Sequence, residues 1–154
     1  MSPRTNLAIQ LSALLTFTLF RFAAPGWWLV ILVISIVGVL VVLLPTVLAL
    51  TTVRRASLTR PVVLPFLGCA TSLVVAGALF PDFGDTDDAQ VPLLSVLGLD
   101  GDPNGVLAGI GAVAVLAFMI CVAITPVAVA ATARTPRHSP PAASPRAWPA
   151  AASR

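Results

Sequence analysis

Long stretches without a charged residue dominate the pattern of this chain. Three of them cover residues 27–50, 61–80 and 106–131. At a rise of about 1.5 Å per residue, each can cross roughly 30 Å of hydrocarbon as an α-helix, which satisfies its own backbone hydrogen bonds. The pattern therefore predicts three membrane-spanning helices, which are the second, third and fourth spans of the arrangement proposed below.

A weaker apolar run, residues 7–24, follows a short N-terminal segment, residues 1–6. It is diluted by a polar stripe and interrupted near its end by Arg21; the stripe consists of Gln10, Ser12, Thr16 and Thr18. The run is interpreted either as a cleaved signal peptide or as a retained first span. We favour the retained span, because cleavage after Ala24 would leave Phe22 where the peptidase needs a small residue. Arg21 is then expected to extend its side chain to the lipid headgroups.

Basic and acidic residues fall on opposite sides of the membrane in this predicted arrangement. Arginines lie before the first span, in the loop 51–60 and in the tail 132–154, at Arg4, Arg54, Arg55, Arg60, Arg134, Arg137, Arg146 and Arg154. Arg21 and every acidic residue fall on the other side, the latter being Asp82, Asp85, Asp87, Asp88, Asp100 and Asp102. The positive-inside rule then predicts a multi-pass protein of the cell inner (plasma) membrane with both termini in the cytoplasm.

Composition supports the membrane assignment. Hydrophobic residues make up 58% of the 154 and charged residues only 10%, whereas a soluble domain has about 25% charged residues. The predicted fold class is all-α, an integral membrane bundle of four transmembrane helices. The tail, residues 132–154, is rich in Ala, Pro, Ser and Arg and is expected to be disordered. The absence of Lys, Glu and Tyr is typical of a GC-rich bacterial genome.

The predicted extracytoplasmic loop, residues 81–105, joins an acidic stretch to a short apolar segment. That segment, residues 91–99, is too short to cross; Pro92 can start a short helix that lies on the membrane surface or caps the bundle, with a re-entrant loop as the alternative. Residues 100–105 resemble the opening of a calcium loop, but its twelfth position, which needs a bidentate Glu, falls on Gly111. We therefore expect a turn in which Asp102 or Asn104 caps the next helix.

Small residues recur at helical spacing in the last two spans. They are Gly68, Ser72 and Ala76 in the third span, and Gly105, Ala108, Gly109 and Ala112 in the fourth. Since close approach is the main attraction between helices in lipid, these stripes predict contact between the third and fourth spans, or self-association. Cys69 and Cys121, in the same two spans, are expected to be buried free thiols.

No residue pattern points to catalysis, a metal or a cofactor. The only histidine, His138, lies in the tail that is expected to be disordered, and no paired carboxylates or buried charges are evident within the spans. We therefore expect no enzyme and no nucleic-acid partner. The partners expected are the lipid bilayer and another membrane protein, so that the chain acts as a non-enzymatic accessory or scaffold subunit. The alternative is an oligomeric pore, holin-like or small transport protein, whose path the polar stripe would line; burial of that stripe against a neighbouring helix would favour the scaffold.

Overall fold

The described residues form an all-helical protein. The computed structural model describes residues 1–24, 26–82, 91–99, 102 and 104–134, and the predictions for residues 83–90, for Asp100 and for the tail from 135 onward lie outside them. The six helices of the described residues are α1 (Pro3–Ala23), α2 (Trp27–Ile34), α3 (Ile36–Thr52), α4 (Arg60–Leu79), α5 (Pro92–Leu97) and α6 (Val106–Arg134). Of these, α1, α4 and α6 are each long and apolar enough to cross a membrane, and the bent pair α2–α3 is a fourth crossing if it forms one span.

The first helix begins earlier than the apolar run suggested. Ser2 accepts a hydrogen bond from the backbone N–H of Thr5 at 3.1 Å, and Pro3 occupies the first turn. A serine cap followed by proline is a favourable helix start, because both relieve the unpaired N–H groups of the first turn. Helix α1 therefore begins at Pro3 rather than Leu7.

The second predicted span is not one continuous helix. It breaks at Ser35, and the axes of α2 and α3 differ in direction by 82°. The N–H of Ser35 donates to the carbonyl of Ile31 at 2.8 Å, closing α2, while its hydroxyl accepts from the N–H of Gly38 at 3.1 Å, opening α3. Serine favours such caps because its side chain competes with the helix for backbone groups. A run defined by the absence of charge does not reveal this break.

Helix α4 lies at the centre and packs against α1 and α6. The predicted contact between the third and fourth spans is confirmed, and Gly68 lies against Cys121. Gly105 and Gly109 face open space and take no part in this contact, and self-association through them, the predicted alternative, stays a prediction. The inner face of α6 is instead the one that contains Gly111, where an added Cβ would lie 2.5 Å from the carbonyl carbon of Leu79.

Two sets of contacts mark the ends of the bundle. At one end the N–H of Leu58 donates to the carbonyl of Met1 at 3.2 Å, and Arg55 donates to the hydroxyl of Thr132 at 2.9 Å. At the other end α5 packs against α1 and α4, as expected for a segment that caps the bundle. There Asp102 accepts from the N–H of Ala108 at 3.0 Å, which confirms Asp102 as a cap of the following helix.

Candidate functional site

The face of α1 that points into the bundle carries three large polar side chains. Its buried positions are Pro3, Asn6, Gln10, Ala13, Phe17 and Arg21, which follow helical spacing, whereas Leu11, Leu15 and Leu19 are exposed. This arrangement is the reverse of a soluble amphipathic helix. Polar side chains that face the interior of a membrane bundle are costly unless partnered, and they often mark function.

Arg21 forms a buried ion pair, so the prediction that it reaches the headgroups by itself is wrong. Its Nη1 lies 3.4 Å from Oδ2 of Asp82, and the two side chains are 6% and 3% exposed. Its Nη2 donates to the carbonyl of Ala76 at 3.1 Å. The guanidinium also lies 5.8 Å from the ring centre of Phe17 and 5.7 Å from that of Phe80, within the range of cation–π attraction.

Asp82 also fixes the start of α2. Its Oδ1 accepts a hydrogen bond from the backbone N–H of Trp28 at 2.8 Å. The ring of Trp28 in turn meets the edge of Phe80 at 5.7 Å between centres. One carboxylate therefore joins the end of α1, the start of α2 and the segment that follows α4.

An apolar cavity of about 400 Å³ lies beside this ion pair. All the helices except α5 contribute to its wall, through Phe17 and Arg21 of α1, Leu32 of α2, Val41 of α3, Leu73 of α4 and Phe118 of α6. None of the residues of α2 is buried, and α3 packs less extensively on α6 than α4 does. The α2 half of the bent pair is therefore loosely packed, whereas α3 buries Val42, Pro45, Ala49 and Thr52, and the cavity lies beneath the bend.

The polar stripe of α1 divides between two surroundings. Gln10 is buried and donates to the carbonyl of Phe66 in α4 at 2.9 Å. Ser12 and Thr16 line an open groove of about 530 Å³ between α1 and α4. Thr18 donates to the carbonyl of Leu14 in its own helix at 2.8 Å. The four side chains do not share a common axis.

Asn6 is the most isolated polar group among the described residues. Its side chain is fully buried, and neither its Oδ1 nor its Nδ2 has a hydrogen-bond partner there. Such a group loses its hydration without replacement, which costs about 1–3 kcal/mol in folded proteins. Asn6 was not singled out from the sequence, although its spacing of four residues from Gln10 was the available signal.

The two cysteines are free thiols, Cys69 being buried and Cys121 half-buried. The sulfur of Cys69 lies 3.6 Å from the hydroxyl of Thr125. Within the described part of the chain, no group of three or more His, Cys, Asp or Glu residues is placed to hold a metal ion. The cysteines therefore belong to the packing between α4 and α6.

Comparison with protein-family models, with curated proteins and with solved structures finds no match. The features that require explanation are the buried ion pair, the cavity beside it, and the hydroxyl-lined groove between α1 and α4.

Proposed function

We propose that the protein is a non-enzymatic accessory or scaffold subunit that spans the membrane four times and binds another membrane protein through its helix faces. The observation that carries this proposal is the orientation of the α1 stripe. Gln10 is buried against α4, while Ser12 and Thr16 line the groove on the outside of the bundle. A hydrophobic core cluster that includes Phe17, Leu73 and Phe118 occupies the interior of the bundle.

The groove between α1 and α4 has the chemistry of a helix-binding surface. Its walls combine small side chains with hydroxyls: Thr5, Ala8, Ser12, Ala13, Thr16, Ala70 and Thr71, together with Ile9, Val74 and Val75. Small residues allow a partner backbone to approach, and hydroxyls can bond across helices. Hydrocarbon chains of lipids offer no hydrogen bond in return. A transmembrane helix of another protein is therefore the favoured occupant of the groove.

In this proposal the protein lies in the inner membrane with both termini in the cytoplasm. The contact between Met1 and Leu58 brings the N-terminus beside the loop that contains Arg54 and Arg55 and that ends at Arg60, the first residue of α4. The only arginine of the opposite side, Arg21, is neutralised by Asp82 and does not oppose the positive-inside rule.

Cysteine labelling tests this orientation. In a protein whose native cysteines are replaced by alanine, Ser95→Cys and Ser57→Cys place thiols at exposed positions of opposite ends. We expect a membrane-impermeant maleimide to label Ser95→Cys in intact cells and Ser57→Cys only after permeabilisation. The reverse pattern would contradict the orientation.

Partner binding is tested by affinity purification from native membranes in mild detergent, followed by mass spectrometry and size analysis. Ser12→Phe fills the groove, and Leu15→Phe is the matched control, since Leu15 is 60% exposed and lies outside the groove. We expect a stoichiometric companion with the wild type and with Leu15→Phe, and its loss with Ser12→Phe. Equal recovery of that companion with both variants would refute the groove as its binding surface.

The second candidate is an oligomeric pore, holin-like or small transport protein. It is favoured by the buried polar groups at both ends of α1, since ionisable and polar side chains inside membranes often mark transport paths. Because Phe17 and Phe118 fill the centre of one chain, such a path would run between subunits. Purification as an oligomer without a companion, together with conductance in liposomes, would support this candidate over the scaffold.

A further inference from the structure

We propose that the cavity beside Arg21 binds a hydrocarbon chain of a phospholipid, with Arg21 donating hydrogen bonds to an oxygen of its phosphate or ester groups. This inference goes beyond partner binding, which was assigned to the groove on the other side of α1. It is carried by the volume of the cavity, the position of its mouth and the unused donors of Arg21.

The volume suits a small apolar guest. At about 400 Å³ the cavity falls within the range of roughly 300–1,000 Å³ that small-molecule sites occupy. Its lining is almost entirely aliphatic and aromatic, and such space is not a favourable place for water. If the cavity were empty, the side chains of its walls would lack dispersion contacts on that side. A hydrocarbon chain supplies those contacts.

The mouth of the cavity opens toward hydrocarbon. Two of its lining residues, Val37 of α3 and Met119 of α6, are 69% and 49% exposed, so the opening lies between these helices. The neighbouring exposed residues are apolar as well, including Ile36 and Leu116. In a bilayer this surface contacts acyl chains, which can enter sideways without crossing water.

The polar end of the cavity favours an oxygen acceptor. Arg21 uses one bond to Asp82 and one to the carbonyl of Ala76, and a guanidinium carries more N–H donors than these. Both oxygens of Asp82 already accept hydrogen bonds, from Arg21 and from the N–H of Trp28. The groups that can still form hydrogen bonds here are therefore the N–H donors of the Arg21 guanidinium, and such cationic donors pair strongly with phosphate oxygens.

The long axis of the cavity also matches the orientation of a lipid in one leaflet. On α4 its wall runs from Phe80 to Leu73, which is about 10 Å along the helix. This is roughly two thirds of one leaflet of the hydrocarbon core. Arg21 and Trp28 lie toward the membrane surface at the Asp82 end, and Phe118 lies deeper. A lipid with its headgroup at Arg21 and its chain directed inward has the orientation of its own leaflet.

The test uses a pair of valines on α6. Val115→Phe places a larger side chain in the cavity wall, whereas Val113→Phe makes the same change at a position that is 66% exposed and outside the cavity. The full-length proteins are purified in mild detergent, washed free of lipid, and titrated with dipalmitoyl phosphatidylglycerol. Native mass spectrometry then counts the bound lipid. Wild type and Val113→Phe are expected to bind one lipid, and Val115→Phe to bind it about tenfold more weakly.

Two further sets of variants test the proposal independently of Val115→Phe. If Val115→Phe does not fold, Val41→Phe fills the cavity from the opposite wall. The double variant Arg21→Met with Asp82→Asn removes both charges, and it is expected to lose its preference for phosphatidylglycerol over hexadecane while still taking up hexadecane. Unchanged lipid binding in the filled variants, no bound lipid in the wild type, or binding of a second copy at the same face would overturn the proposal. Ser12→Phe should bind lipid normally, which separates this result from failure of the scaffold function.

Discussion

Asp82→Asn removes the charge of the buried carboxylate and changes little else. Asparagine has nearly the same size, and its side-chain oxygen can still accept the hydrogen bond from the N–H of Trp28. The variant therefore leaves Arg21 with its positive charge, 5% exposed and without its counter-ion. We expect the free energy of unfolding to fall.

The expected size of this loss follows from the geometry. Removing one partner of a buried ion pair typically costs about 3–5 kcal/mol, because the other charge stays buried and uncompensated. Here the Nη1 to Oδ2 distance of 3.4 Å is long for a charge-assisted hydrogen bond. The rings of Phe17 and Phe80 and the carbonyl of Ala76 continue to stabilise the cation. We therefore expect the lower end of the range, about 3 kcal/mol.

A double-mutant cycle separates the charge effect from other consequences of substitution. Arg21→Met removes the cation, and the combination with Asp82→Asn leaves no buried charge at this site. If the two groups stabilise each other, the double variant is more stable than the sum of the single losses predicts, with a coupling of about 2–3 kcal/mol.

Unfolding by sodium dodecyl sulfate from mixed micelles, followed by helical circular dichroism, measures these free energies. Asp102→Asn is the control. The Asp102 side chain accepts one hydrogen bond, from the N–H of Ala108 at the start of α6, and Asn caps a helix about as well as Asp, so the expected loss is below about 0.5 kcal/mol. The reasoning would be refuted if Asp82→Asn matched the wild type within about 0.5 kcal/mol, or if the effects in the cycle were additive.

Three further predictions concern packing and capping, and the same unfolding assay measures each. Asn6→Leu should raise stability by about 1–3 kcal/mol, because it removes a buried polar group without a partner; a loss would indicate that Asn6 bonds to bound water. Gly77→Ala should lower the free energy of unfolding by about 1–3 kcal/mol, since the added Cβ would lie 2.8 Å from the ring of Phe17. Gly109→Ala is the matched control and should be neutral or stabilising, because Gly109 faces open space. Equal effects of the two substitutions would contradict the packing of α1 on α4. Ser35→Ala should cost about 1 kcal/mol by removing the cap of α3, and no change would mean that the hydroxyl does not hold the bend.

Several elements could be predicted from local sequence alone. Charge-free runs give the positions of α4 and α6, because a helix that crosses hydrocarbon has to exclude charge along about 20 residues. The cap at Asp102 and the short helix after Val91 follow from turn and proline chemistry that acts within a few positions. The contact between α4 and α6 follows from small residues, although Gly105 and Gly109 face away from it.

The candidate site could not be predicted in the same way. An arginine near the end of an apolar run is compatible both with a side chain that reaches the headgroups and with a buried pair. The choice depends on Asp82, which is 61 residues away along the chain and is brought to Arg21 by packing of α1 against α4. The break at Ser35 could not be predicted either, since hydroxyl residues such as Thr18 bond to their own helix without interrupting it.

The ion pair, the bend and the cavity are parts of one arrangement. The carboxylate that neutralises Arg21 also accepts from the N–H of Trp28, so it fixes where α2 begins. Gly26 permits this, because a Cβ there would lie 2.5 Å from Oδ1 of Asp82. The chain turns by 82° at Ser35, and the space beside α2 and α3 is lined by apolar side chains with one cation at its edge. The buried charge thus lies at the edge of the cavity, and its carboxylate partner fixes the start of the bent pair α2–α3 that lines this cavity.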